Sequence, residues 1–217
     1  IISEAVSTDE MLSLANLNAW NVRVEDIPLA DGYTTKNPSF LVVRDHPEDG
    51  HPDVLATVGS RYVTVQNEEL FAFADNILAE HEDTRWETAG SIKDGRVVFG
   101  SLALDREVVL DPSGVADKVN TYLLVNTSHD GSVAVQASVT PVRVVCQNTL
   151  NAALRGVKQS YKVRHTQTVD GRIAAAREAL GLAYAYIDKF EDEAQMLIQT
   201  EIDKATFNKI VAAAYPM

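Results

Sequence analysis

The chain has 217 residues, 46% of them hydrophobic and 23% charged, with a formal net charge of −12. That length and apolar fraction suit one domain with its own core, and no apolar run approaches the roughly 18 residues of a membrane-spanning helix. The single cysteine excludes an internal disulfide and fits a reducing cytoplasm, while the acidic balance argues at face value against nucleic acid.

No basic stretch followed by an apolar one opens the chain, so no secretory leader is expected, and Ile1 in first place suggests that earlier residues are missing. Ser7 with Glu10 three residues on has the form of a capping box, which predicts a short helix through Met11, Leu12, Ala15 and Ala19. Trp20 follows as a core anchor. Phe40–Arg44 reads as a strand and Val54–Val58 as another, joined through the polar loop Asp45–Asp53 into a hairpin with a long tip. Gly59–Val65 reads as a further extended piece. Asn67 is expected to cap a helix carrying Leu70, Phe71, Ala74, Ile77 and Leu78 at helical spacing.

Three β segments come next, Trp86–Ile92, Arg96–Leu104 and Asn120–Thr127, with Lys93-Asp94-Gly95 and Ser128–Gly131 as turns. Val133, Val135, Ala137 and Val139 alternate with Ala134, Gln136, Ser138 and Thr140, the pattern of a half-buried strand that Pro141 interrupts. Gln147–Gly156 reads as a short helix stopped by its glycine. From Arg172 the pattern is helical through Leu197, and a shorter helix carries Phe207, Ile210, Val211 and Ala214. The expected fold class is α+β: an antiparallel sheet built from β-hairpins with helices packed on it, plus a C-terminal helical segment. Residues 1–170 would form the core domain, and 171–217 the helical segment, packed on the core or on a neighbouring subunit.

Cys146 ends a valine run just before a helix start. A nucleophilic cysteine needs a base and a lowered pKa, and none of the five histidines sits in a catalytic signature, so the expectation is a buried structural residue. The loop around His46 and His51 gathers Asp45, Glu48, Asp49 and Asp53, a mixture that divalent ions accept. Two prolines intervene, however, and a solvated hairpin tip is expected. No catalytic residue, metal or cofactor is assigned.

Charge is unevenly distributed. Between Gly131 and Val169 there is no Asp or Glu, yet Arg143, Arg155, Lys158, Lys162 and Arg164 all fall there. The remaining 14 basic residues face all 31 acids, so the rest of the chain carries −17. Tyr161 lies among these cations as a stacking surface, and Arg61 adds a basic group from another part of the chain. Cations that track a backbone, together with an aromatic platform, are what sequence-tolerant binding of single strands requires.

The stretches "VGSRYVTVQNEELFAFADNI", "NTYLLVNTSHDGSVAVQASVTPVRVVCQNTLNAAL" and the "KVRHT" that follows resemble the phage/plasmid-like proteins. That family is defined by a domain of unknown function found in bacteriophages, prophages and plasmids. The resemblance runs from about Val58 to the C-terminus and brings no catalytic residues with it. It implies mobile elements that carry their own recombination genes. In that setting the outline is similar to single-strand annealing recombinases of the RecT and Red-beta kind, a fold-level analogy. The resulting expectation is a phage-encoded, non-catalytic, oligomeric protein of the bacterial host's cytoplasm that binds and anneals single-stranded DNA. A phage exonuclease or host single-strand-binding protein would be a further partner. Two alternatives are a protein-interaction module for host takeover or anti-defence, and a metal-dependent nucleic-acid enzyme using the Asp45–Asp53 loop.

Overall fold

The computed structural model describes residues 7–31, 34–78, 85–110, 116–156, 161–163 and 191–214; of residues 105–107, 110, 117, 155, 156, 161–163 and 214 it describes the backbone alone. Helix α1 (Thr8–Leu14) begins at the expected capping box, with Ser7 and Glu10 each bonding the other's backbone amide. It stops before Ala19 because Asn16 turns left-handed at φ 53°. The amides of Asn16 and Leu17 then return to the carbonyls of Ser13 and Leu12, which closes the last turn.

Strands β1 (Arg23–Asp26), β2 (Ser39–Asp45) and β3 (Pro52–Gly59) make an antiparallel three-stranded sheet in that order. The β2–β3 hairpin is the one its sequence predicts. Gly59–Val65, by contrast, adds no strand: the Tyr62 amide bonds the Gly59 carbonyl at 3.1 Å and folds the piece into a turn. Helix α2 (Asn67–Ile77) buries Leu70, Phe71, Ala74 and Ile77, the stripe its spacing predicts. Its cap is Gln66 rather than Asn67. Asn67 is fully buried, its Nδ2 donating to the Leu17 carbonyl at 2.8 Å and its Oδ1 3.0 Å from the His129 Nε2.

Five strands follow in one antiparallel sheet, in the order β4 (Arg85–Ile92), β5 (Val97–Leu110), β6 (Asp117–Ser128), β7 (Val135–Thr140) and β8 (Tyr161–Val163). One face presents Leu102, Leu123, Val125, Ala137 and Val139 to a core shared with α1, α2 and residues of the first sheet. Gly100 lies on this face, and a Cβ there would come within 2.7 Å of the Trp86 ring and 2.9 Å of Phe71. Only glycine lets those stacked rings, 4.5 Å apart, lie against the strand.

The opposite face carries Phe99 and Leu124 but also Ser101, Asn126, Gln136 and Ser138, and it is covered as well. From Pro141 the chain crosses back over the sheet as a strap. Val144 is fully buried, and its carbonyl accepts from the Thr88 hydroxyl at 2.6 Å. Helix α3 (Gln147–Gly156) then returns across the same face on Leu150 and Ala153. Strand β7 is therefore buried on both faces rather than half-buried as its alternation suggests.

The fold is α+β. Residues 191–198 form helix α4, whose Gln195 donates to the Val109 carbonyl at 2.8 Å, and α5 (Lys204–Ala214) is the expected short helix. Of the helix expected from Arg172 through Leu197, residues 172–190 lie outside the described residues, as does the domain division at 170.

Two contacts join the ends of the sheets. The Arg44 guanidinium lies over the Trp20 ring at 4.2 Å, against the β4–β5 turn, where Gly95 has φ +84° and no room for a Cβ. The Tyr62 hydroxyl donates to the Ser128 carbonyl at 3.3 Å, and burial, then the Asp130 charge, push this phenol up to about 12.

Two outcomes are expected. Gly100→Ala should lower stability by about 1–3 kcal/mol in urea denaturation; a loss under about 0.5 kcal/mol would show that the rings give way. Because the folded pKa of Tyr62 exceeds the unfolded value of 10.0, its contribution is whole below pH 10 and is lost as pH rises through 12. Absorbance at 295 nm should show one late-ionising tyrosine that Tyr62→Phe removes. The variant should also lose less stability than the parent chain between pH 10 and 12.

Candidate nucleic-acid interface

The first sheet sets up a cleft. Ser39, the first residue of β2, pairs with Gly59, the last of β3, so the flanking segments Lys36–Pro38 and Ser60–Arg61 leave the sheet side by side. The Asp130–Gly131 turn between β6 and β7 closes the third side, over half-buried Tyr62. The cleft is open and holds about 650 Å³. Lys36 and Arg61 are its cations and Asp130 its acid. Although burial opposes it, bonds from the Ser132 side chain and amide hold the Asp130 carboxyl below the usual range, helped by Ser128 and Lys93. Asp130 is thus a fixed charge tied into its own turn.

Among the described residues, five other arginines are already matched. Arg23 meets Asp45 and Glu25, Arg44 meets Asp53, Arg85 and Arg143 both meet Glu87, and Arg96 meets Asp94. Of the arginines whose side chains are described, Arg61 is the one without a carboxylate partner. It is exposed on a turn that holds it out from the sheet.

The seven expected residues fall into separate places. Arg143 lies on the strap with its guanidinium 2.6 Å from Glu87 of β4, one edge of the five-stranded sheet. Tyr161 and Lys162 lie on β8, the other edge, opposite Ala137 and Gln136. Four strand spacings, about 19 Å, separate these edges, so the Arg143–Glu87 pair and the backbone of Lys162 lie at opposite edges of the sheet. Strand β8 runs toward the start of β7, with Val163 opposite Val135. Its end therefore shares the end of the sheet that carries Asp130, Gly131 and the Arg61 cleft. Arg155 occupies the last turn of α3, while Lys158 and Arg164 lie outside the described residues. Lys36 escaped the sequence reading because a lone lysine in "TTKNPS" carries no signal until the Ser39–Gly59 pairing is known.

Cys146 is exposed, contrary to expectation. The valine run stops alternating there: Val144 points into the core, Val145 is 46% exposed, and Cys146 caps α3. The Thr149 hydroxyl accepts from the Cys146 amide at 3.0 Å and lies 3.5 Å from the thiol, a contact that lowers the thiol pKa. The Asp45–Asp53 loop also sorts itself. Asp45 is bound by Arg23 at 2.7 Å and Asn21 at 3.1 Å, and Asp53 by Arg44 at 2.9 Å, so neither is free to hold an ion. His46, Asp49 and His51 remain together at the tip.

No curated protein and no solved structure matches the chain. A family model described as a domain of unknown function (DUF932) matches residues 54–217, a span that includes Arg61, the Asp130 turn and the whole acid-free stretch but begins after Lys36 and the His46–His51 tip. Three-quarters of the chain lies within that match, and the protein belongs to the DUF932 family.

Proposed function

We propose that this protein is a non-catalytic, oligomeric single-stranded-DNA-binding protein of phage and plasmid elements that promotes annealing. The observation that carries the reading is Arg61, unneutralised beside Lys36 in an open cleft, at the end of the sheet toward which the basic stretch of β8 runs. Phosphates would sit on Lys36 and Arg61, and the strand would continue toward Tyr161, Lys162 and Arg164. Arg155 and Lys158, leading into β8, would extend the path.

Arg143 is reassigned within this reading. Its pairing with Glu87 supports a role in holding the strap down rather than in holding phosphate. The oligomer is supported by the apolar surface of the C-terminal segment, where Met196, Leu197, Phe207 and Ile210 are each more than half exposed. The mobile-element context rests on the sequence resemblance.

Fluorescence anisotropy with a labelled oligo(dT), repeated across a salt series, tests the reading. On single strands, log affinity falls by about 0.7 per phosphate contact per log unit of salt. Lys36→Ala with Arg61→Ala should therefore weaken binding and reduce the slope by about 1.4. Arg143→Ala should leave the slope unchanged. Absence of binding at low salt would refute the proposal, and equal effects of all three substitutions would refute the assignment of the cleft.

A further inference from the structure

The tip of the β2–β3 hairpin gathers three metal-ligating side chains that the DNA-binding reading does not use. One ligand atom from each of His46, Asp49 and His51 lies within 4.8 Å of the others. Both imidazoles turn Nδ1 toward the same carboxylate oxygen: Asp49 Oδ1 is 3.4 Å from His46 and 2.5 Å from His51. The rings stack with centroids 4.8 Å apart.

The backbone holds this arrangement. The His46 amide bonds the His51 carbonyl at 2.9 Å, and the Gly50 amide bonds the His46 carbonyl at 2.8 Å. Each histidine also precedes a proline, Pro47 or Pro52, which confines its own backbone to extended conformations. Two histidines five residues apart are thereby brought face to face without help from the rest of the fold. The neighbouring carboxylates of Asp45 and Asp53 are tied to arginines, and of the loop's other two acids it is Asp49 that faces both imidazoles.

We propose that His46, Asp49 and His51 bind one borderline divalent cation of the Zn²⁺ class. Two imidazoles and a carboxylate suit zinc and its neighbours rather than Mg²⁺ or Ca²⁺, which prefer oxygen donors alone. Around a tetrahedral ion with ligand bonds of about 2.0–2.1 Å, ligand atoms lie about 3.3 Å apart. The His46–Asp49 separation of 3.4 Å already fits that edge. The His51–Asp49 contact is a hydrogen bond, and it must open by about 0.8 Å as the ion replaces its proton. Side-chain exposures of 55% and 62% leave room for that movement. The imidazole keeps one proton, which moves from Nδ1 to Nε2 through solvent as the ion takes the Nδ1 lone pair, and the outward side of the ion remains open to water or a donor from another molecule.

The test uses the full chain after removal of metal with a chelator. Titration with ZnCl₂ by calorimetry should give one ion per chain. Loss of an outer-shell partner already costs about 10–100-fold in affinity, so His46→Ala, His51→Ala and Asp49→Asn should each weaken binding at least tenfold. Glu48→Gln should bind as the parent does, and MgCl₂ should give no heat. These side chains are surface groups on a hairpin held by backbone bonds, and circular dichroism should show every variant folded. Binding that survives His46→Ala with His51→Ala, or elemental analysis finding no zinc retained after dialysis, would overturn the proposal.

Discussion

Trp20 is the residue on which the arrangement of the two sheets depends. Its indole is buried, and its Nε1 donates to the Asn16 carbonyl at 2.7 Å, so the ring is fixed by the turn that ends α1. The Arg44 guanidinium from the first sheet covers the ring, and His129, from the end of β6 in the second, lies 5.7 Å from it. Arg44 is 6% exposed and His129 1%, and a buried cation is tolerable only with a partner; Asp53 supplies the charge and the indole face the rest. Asn67 completes the joint by linking His129 to the Leu17 carbonyl. The sheets are thus held at their ends by directional contacts, which fix where the Ser60–Arg61 turn meets the Asp130 turn. The cleft is a consequence of that joint.

A second constraint lies under the strap. Strand β7 and its neighbours carry polar side chains on a face that the strap and α3 cover. The Thr88 hydroxyl lies 2.7 Å from Ser101 and also donates to Val144. Asn126 has neither side-chain nitrogen nor oxygen bonded, and Ser138 is buried in the same state. These side chains make the strap-covered face the polar side of the sheet. It also changes the meaning of the acid-free stretch. From Val135 to Leu150 the absence of acids reflects burial of β7 and anchoring of the strap. The cationic excess that burial does not account for begins at Arg155.

Legibility in the sequence followed how local each cause was. The Ser7–Glu10 box, the α2 stripe and the bounds of α3 depend on residues within a turn or two of one another, and all were readable. Asn67 was read as a cap because a polar residue before an apolar stripe has that form. Its actual partners, Leu17 and His129, are 50 and 62 residues away. Strand β8 is three residues long and gains its identity only from β7. Cys146 looked buried because it closes a valine run, but the run changes from strap to helix at that residue. The cleft is half visible in the sequence: charge alone points to Arg61, whereas its distinction from Arg143 comes from Glu87, a partner on a different strand.

A net charge of −12 need not repel a nucleic acid from the cleft. At physiological salt a charge is screened beyond about 8 Å, so a phosphate near Arg61 would respond first to the other charges lining the cleft, Lys36 and Asp130. The acids elsewhere act by another route, through the arginines they neutralise. Arg23, Arg44, Arg85, Arg96 and Arg143 are each bound to a carboxylate, which removes them as competing phosphate sites. Acids that pair five of the six arginines with described side chains confine anion binding more narrowly than a uniformly basic surface would. Under the proposed function, the acidity and the binding surface would be two parts of one device, the first deciding how few places on the protein an anion can rest.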